Sequence, residues 1–340
     1  MMLLTKNKKT RECDSHVVEK ETANIFIINT SLCRLVTNHS ILSNFLFLMA
    51  AFDGDGDEFD EDETPVYENE KLEILIRQMR LCKAATFYVD KITNDDIQLI
   101  ADELRINRVW NALRIIGLNL IEESGASYLF DALAANPTVK VLHLGGNGLD
   151  DARASIFTSL MATNKTITEF ILTDNHIGAF GAKEISKMLR TNSTLATLVL
   201  HGNPISNNGV SLLCDALEHN QTLTSLKLTR TYTTDIGAEK LASLLRINKT
   251  LAVLSLDANK ISDSGLQAFM TAIKDNSTLQ CLNIRQNEIT DTSVDCIISI
   301  IETNRTFDRL DLARNQLTDQ AKEKLRNANT NHKTIKSLIL

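Results

Sequence analysis

Apolar residues recur along most of this chain in one spaced pattern, apolar-x-x-apolar-x-apolar-x-x-Asn-x-apolar, as in Val139, Leu142, Leu144, Asn147, Leu149 and again in Leu251, Leu254, Leu256, Asn259, Ile261. The alternating part predicts a short strand with one buried face, and the Asn marks the turn that ends it. After each turn comes a second pattern, as in Gly181-Ala182-Lys183-Glu184-Ile185-Ser186-Lys187-Met188-Leu189, whose apolar sites fall on one face of a helix. Asn164, Asn192, Asn220, Asn248, Asn276 and Asn304 each open an Asn-x-Thr-apolar segment, and successive ones stand 28 residues apart. A fixed period of this size predicts a solenoid, with one strand and one helix per coil. Right-handed crossovers then put a parallel sheet on the inside and helices on the outside.

The coils run in register. A degenerate first one has Cys82, Ala85 and Phe87 at strand sites and Ile97, Ile100 and Leu104 at helix sites. Full coils start at Trp110, Val139, Ile167, Leu195, Leu223, Leu251, Leu279 and Phe307, and a half-coil holds Ile335, Leu338 and Leu340. The turn Asn recurs at Asn147, Asn175, Asn203, Asn259, Asn287 and Asn315, where its amide is expected to satisfy buried backbone groups. Leu118 and Thr231 take its place in two coils, so those turns should be looser or differently shaped. Upstream, Leu72, Leu75, Ile76 and Met79 share one face of a helix within 65–81, the expected cap for the open N-terminal end of the solenoid.

The 28-residue period, the strand pattern and the helix Gly237-Ala238-Glu239-Lys240-Leu241-Ala242-Ser243-Leu244-Leu245 resemble leucine-rich repeats of the ribonuclease-inhibitor type, over 82–340. The resemblance implies an α/β horseshoe with a concave parallel sheet and convex helices. It does not imply a function, since similar repeats occur in ribonuclease inhibitors, NOD-like receptors, Ran-type GTPase activators and tropomodulin-like actin-binding proteins.

Residues 1–64 fall outside the pattern and are expected to be a largely disordered leader. Ile41 to Phe52 is an apolar run of twelve, broken by Ser43 and Asn44, shorter than the ~20 residues a membrane span needs. It also starts too deep for an ordinary signal sequence, and Met49 offers an alternative start. Asp53 to Glu63 carries eight carboxylates in eleven positions. As a calcium loop it fails at Glu58, where Gly is required, and at Thr64, where Glu is required, so it reads as a solvated linker.

Charge changes the picture little elsewhere. The chain holds 36 basic and 43 acidic residues, a net of −7; setting the eight linker carboxylates aside leaves 35 acidic against 36 basic, a net of +1. No basic stripe suggests nucleic acid as a partner. The six cysteines lie far apart, with no metal-ligand spacing, and read as buried apolar residues in a reducing, cytoplasmic compartment. Six of eight Asn-x-Ser/Thr sequons fall at one point of the repeat, where Asn was expected to end the helix in a left-handed conformation and Thr to bond the turn. They read as structural rather than as glycosylation sites.

On the concave face, one column of outward side chains reads Thr86, Arg114, His143, Ile171, Val199, Lys227, Ser255, Asn283, Asp311. Two residues on, a second column reads Tyr88, Ile116, Gly145, Thr173, His201, Thr229, Asp257, Arg285, Ala313, flanked by Asp174, Arg230, Gln286 and Arg314. Polar and charged groups concentrate from His201 onward. His201, Lys227, Thr229, Arg230, Asp257, Arg285, Asp311 and Arg314 are therefore the expected site for a protein partner, with no cofactor or metal. Asp257 and Arg285, on adjacent strands, could alternatively pair with each other as an exposed ion pair.

An enzyme is not expected. His143 and His201 lie two strands apart with no Ser or Cys nucleophile expected beside either, and Gly145-Gly146-Asn147-Gly148 lacks the Lys-Ser/Thr of a phosphate loop. The reading is a non-catalytic scaffold. The alternatives carried by resemblance are a Ran-type GTPase activator, using Arg314-Asn315 or Arg285-Gln286-Asn287, and a tropomodulin-like actin-binding protein. Ile335 to Leu340 reproduces only the strand half of a coil, which leaves an edge open to self-association or to further repeats in a longer chain.

Overall fold

The computed structural model describes residues 69–88, 92–117, 123–304, 306–332 and 335–340. The linker, the apolar run, Met49, Cys13, Cys33 and the Leu118 turn therefore lie outside the described residues.

Strand and helix alternate throughout: α1 (Asn69–Met79), β1 (Ala84–Tyr88), α2 (Asn94–Ile106), β2 (Ala112–Ile116), α3 (Glu123–Ala135), β3 (Val141–His143), α4 (Asp151–Thr163), β4 (Glu169–Ile171), α5 (Ala179–Thr191), β5 (Thr197–Val199), α6 (Ser206–Leu217), β6 (Ser225–Lys227), α7 (Asp235–Ile247), β7 (Val253–Ser255), α8 (Asp263–Asp275), β8 (Cys281–Asn283), α9 (Val294–Thr303), β9 (Arg309–Asp311), α10 (Asp319–His332) and β10 (Ser337–Ile339). All ten strands form one parallel sheet in chain order. Register is uniform: Arg114 pairs with His143, His143 with Ile171, Ile171 with Val199 and Val199 with Lys227. This is an α/β solenoid of leucine-rich-repeat form.

The consensus apolar sites form the core. Leu142, Leu198, Leu226, Leu254 and Leu282 from the strands are fully buried against Ile185, Leu213, Leu241 and Phe269 from the helices. At the N-terminal end Leu72, Leu75, Ile76 and Met79 of α1 are buried, and the Trp110 indole N–H donates to the carbonyl of Met79 at 2.9 Å. No helix among the described residues is long and apolar enough to cross a membrane.

Two rows of asparagine hold successive coils together. At the helix ends, Asn248 donates to the Leu217 carbonyl of the preceding coil at 2.8 Å and accepts from the Thr250 and Leu251 amides. Asn164, Asn192, Asn220, Asn276 and Asn304 likewise accept from the amides two and three residues on. The row extends further than the Asn-x-Thr spacing shows, to Asn136 and Asn107. The expected left-handed exit is corrected here, because Asn164, Asn192, Asn248, Asn276 and Asn304 leave their helices extended, with φ between −62 and −89°. The reason is the side chain: an Oδ1 that accepts from the next two amides needs the chain to turn back over it, which an extended residue allows. These amides are buried and bonded, so the sequons serve the fold.

At the strand ends, Asn175 donates to Leu144 and Leu172 carbonyls and accepts from the Asn147 and Leu149 amides of the preceding coil. Left-handed residues sit just before this Asn instead, at Asp174, Ala258, Gln286 and Arg314, and before Thr231 at Arg230, with φ of 51–59°. The cysteines also differ from expectation: Cys214 is buried, whereas Cys82, Cys281 and Cys296 are only half-buried.

Candidate functional site

Each strand contributes three central residues, of which the middle one enters the core and its neighbours face the concave side. Lys227 is half-buried between Val199 and Ser255 of the adjacent strands. Ser255 is almost wholly covered, because Asn283 of the next strand donates to its hydroxyl at 2.9 Å. A column the spacing argument passed over, Glu169, Thr197, Ser225, Val253, Cys281 and Arg309, lies one residue before the middle leucine. Alternation along the strand was the available signal.

The expected partner residues separate into two groups. Lys227, Thr229, Asp257, Arg285 and Asp311 belong to the sheet and its exit. Asp257 accepts from the backbone amide of Arg285 at 2.9 Å. The expected side-chain pair is thus replaced by a bond to the main chain, and the Arg285 guanidinium stays exposed. Burial of Asp257, reinforced by the nearby Asp311, pushes its carboxyl above the usual range against that hydrogen bond. Asp311 is almost buried: it accepts from the Ala313 amide at 3.1 Å and lies 3.7 Å from the Arg309 guanidinium. Cys281, facing the same cluster, has its thiol pushed up by burial.

His201, Arg230 and Arg314 stand on the rim where strands turn into helices. His201 Nε2 lies 3.9 Å from an Asp174 oxygen. Arg230 and Arg314 are exposed and occupy left-handed positions. Asn287 and Asn315, the amides considered for GTPase activation, are consumed by the turn row: Asn315 bonds Ile284, Leu312, Asn287 and Ile289 backbone groups, and Asn287 bonds Leu256 and Ile261. Of those two sets, Arg285, Gln286 and Arg314 remain exposed.

The same rim holds a groove of about 380 Å³, whose walls include His176, Pro204, Arg230, Tyr232 and Lys260. Thr231 creates it. Thr231 has no amide to receive the Asn203 and Ile205 backbone N–H groups, so Ile205 turns back to the carbonyl of Asn203 at 2.8 Å and Ser206 donates to Thr231. Ser206 and Tyr232 are both driven to φ of 59°, and the parallel bridges found at His176, Lys260 and Glu288 are missing at Tyr232. The altered turn expected from Thr231 is therefore present.

No group of three or more metal-ligating side chains exists among the described residues. A family model described as Leucine Rich repeat matches residues 135–152, 163–186, 191–214, 219–242, 248–270 and 275–297. Actin-binding site 2 of leiomodin-1 is a similar solved structure, 21% identical over 44% of this chain and 88% of that chain, with a TM-score of 0.38. The tropomodulin C-terminal domain of Caenorhabditis elegans is 14% identical over 45% of this chain and 93% of that chain, again with a TM-score of 0.38. Neither likeness bears on what this chain binds. No curated protein matches the sequence.

Proposed function

This chain is a leucine-rich repeat protein, and from that premise we propose that it is a non-catalytic scaffold holding a protein partner on the concave face of β6 to β9. One observation carries the reading. On these coils the carboxylates of Asp257 and Asp311 are taken up by backbone amides, while the Lys227 ammonium and Arg285 guanidinium make no ion pair among the described residues. Unspent cations on a rigid, preorganised sheet favour a partner that brings its own acidic side chains. A 28-residue coil with a full helix supports the ribonuclease-inhibitor subtype, and an open curved sheet that excludes little water supports a binding role. The half-buried free thiols suit a reducing compartment.

Full-length protein and a Lys227→Ala/Arg285→Ala variant, used as baits and compared by quantitative mass spectrometry, test this. Proteins retained by the wild type should fall roughly tenfold on the variant, as for loss of two interface cations. An unchanged set at an unchanged melting temperature would overturn the concave-face assignment.

A further inference from the structure

We propose that the rim groove is the docking site of this chain's own acidic segment, Asp53 to Glu63, with the ring of Phe59 against Tyr232 and Pro204 and its flanking carboxylates on Arg230 and Lys260. This stands apart from the concave-face reading, which uses the other side of the turn.

The groove walls match that segment and little else in the chain. They carry three basic side chains, His176, Arg230 and Lys260, and no carboxylate. Arg230 and Lys260 make no ion pair among the described residues. The surface is also apolar: Tyr232 is 66% exposed, and Phe180 (77%) and Ile236 (64%) stand on the first turns of α5 and α7. A purely ionic ligand would leave these apolar side chains in water. Asp53 to Glu63 supplies eight carboxylates around a single aromatic, in the order Asp57-Glu58-Phe59-Asp60-Glu61. The groove lies where Thr231 breaks the asparagine row and the turn is irregular. Asp174, next to the lining Asn175 and packed against Gly202, stands at its edge, and Glu288 lies one turn beyond Lys260.

Chain direction brings the two together. Every helix here starts on the rim where strands end, and α1 runs in the same sense, because the segment after it meets the far rim, where the Arg80 carbonyl accepts from Asn107. The start of α1 at Asn69 therefore lies on the groove's own rim, about five coils away. Strands stand ~4.8 Å apart and helices ~8–10 Å apart, which sets that span at roughly 25–50 Å. Phe59 lies ten residues before Asn69 and Asp53 sixteen, reaching about 33 and 53 Å when extended. A tether of this length gives an effective concentration on the order of millimolar, so weak contacts suffice.

The test places the photo-reactive analogue p-benzoylphenylalanine at Phe59 of the full chain and maps the cross-links by mass spectrometry. Cross-links are expected within one chain, to peptides between Pro204 and Lys260, in a yield independent of protein concentration. Arg230→Glu/Lys260→Glu should reduce them at least about fivefold, as should ~1 M salt, where screening shortens to ~3 Å. Neutralising Asp57, Glu58, Asp60 and Glu61 to their amides should do the same and leaves the solenoid untouched if the reversed pair misfolds. Cross-links scattered over the surface, found only between copies, or insensitive to both charge changes would overturn the proposal.

Discussion

Asn203 and Thr231 occupy equivalent places on adjacent coils, yet the bond that joins Asn147 to Asn175 at 3.0 Å has no counterpart between them. Thr231 instead bonds the Leu228 carbonyl and the hydroxyl of Thr233, which stands where the other coils carry Leu149, Ile177, Ile261 or Ile289. The two threonines satisfy each other, both fully buried. Replacing both together, Thr231→Asn with Thr233→Ile, should restore the regular turn. Two recovered buried bonds at ~1 kcal/mol each, with about 2–4 °C per kcal/mol for a chain of this size, raise the expected melting temperature by several degrees. The left-handed turn at Ser206 and the groove should disappear in the variant's structure. A lower melting temperature would show that the threonine pair is the better solution for this coil.

The second asparagine row makes the opposite prediction. Asn248→Ala removes three buried bonds at once, to Leu217, Thr250 and Leu251. With about 1–3 kcal/mol for each stranded group, the loss should reach roughly 3 kcal/mol or more in urea titration. Asn248→Asp keeps the acceptor but faces the Leu217 carbonyl with a charge, so it should be no better. Lys249→Ala, exposed one residue away, should change little.

The framework of coils was legible because one period governed both the apolar sites and the asparagines, and the concave register followed from alternation. What escaped was set by neighbours in space. Nothing local marks Asp174 or Gln286 for a left-handed backbone; the demand comes from the turn asparagine that follows, clamped by the next coil, and Arg230 keeps the same backbone although Thr231 follows it. Thr231 was visible as a departure, but its effect on Ser206 and Tyr232, 25 residues before it and one after, required the pairing of coils. His176, Tyr232 and Lys260 fall just beyond the strand, where alternation carries no signal.

Acid should act on two carboxylates in opposite senses. Asp263 is desolvated, yet bonds from the Ser293 and Thr290 hydroxyls and the Thr290 amide hold its carboxyl below the usual range. A depressed folded value gives stability that is present above the unfolded pKa and is lost as pH falls through the folded one. Burial raises Asp257, so its ionisation opposes folding, and that penalty fades as pH falls through its raised value. Asp263→Asn should therefore destabilise at neutral pH and flatten the acid limb of the stability curve. Asp257→Asn should be neutral or stabilising at pH 7, with its difference from wild type shrinking toward pH 4. Parallel pH profiles of the two variants would refute the assignment.

The last prediction concerns the N-terminal coil. Glu103 is almost fully buried and takes a bidentate grip from Arg80, with Nη2 to Oε2 at 2.7 Å and Nε to Oε1 at 3.0 Å, while Asn107 donates to Oε1 at 3.0 Å. Burial raises this carboxyl, but the Arg80 and Asn107 bonds outweigh it and hold it low. Arg80 itself is half exposed, so the pair contributes less than a wholly buried one. The two ends are not equivalent. Arg80→Ala leaves a buried carboxylate with Asn107 as its remaining side-chain partner, and should destabilise the cap measurably. Glu103→Gln leaves an exposed cation and a neutral amide that still accepts from Asn107, and should cost roughly half as much. Because coils contact only their neighbours, the damage should stay local. Hydrogen exchange should speed up across α1 and β1 in Arg80→Ala while α6 to α9 keep wild-type protection. Equal losses in the two variants, or faster exchange along the whole solenoid, would show that the pair does not anchor the cap.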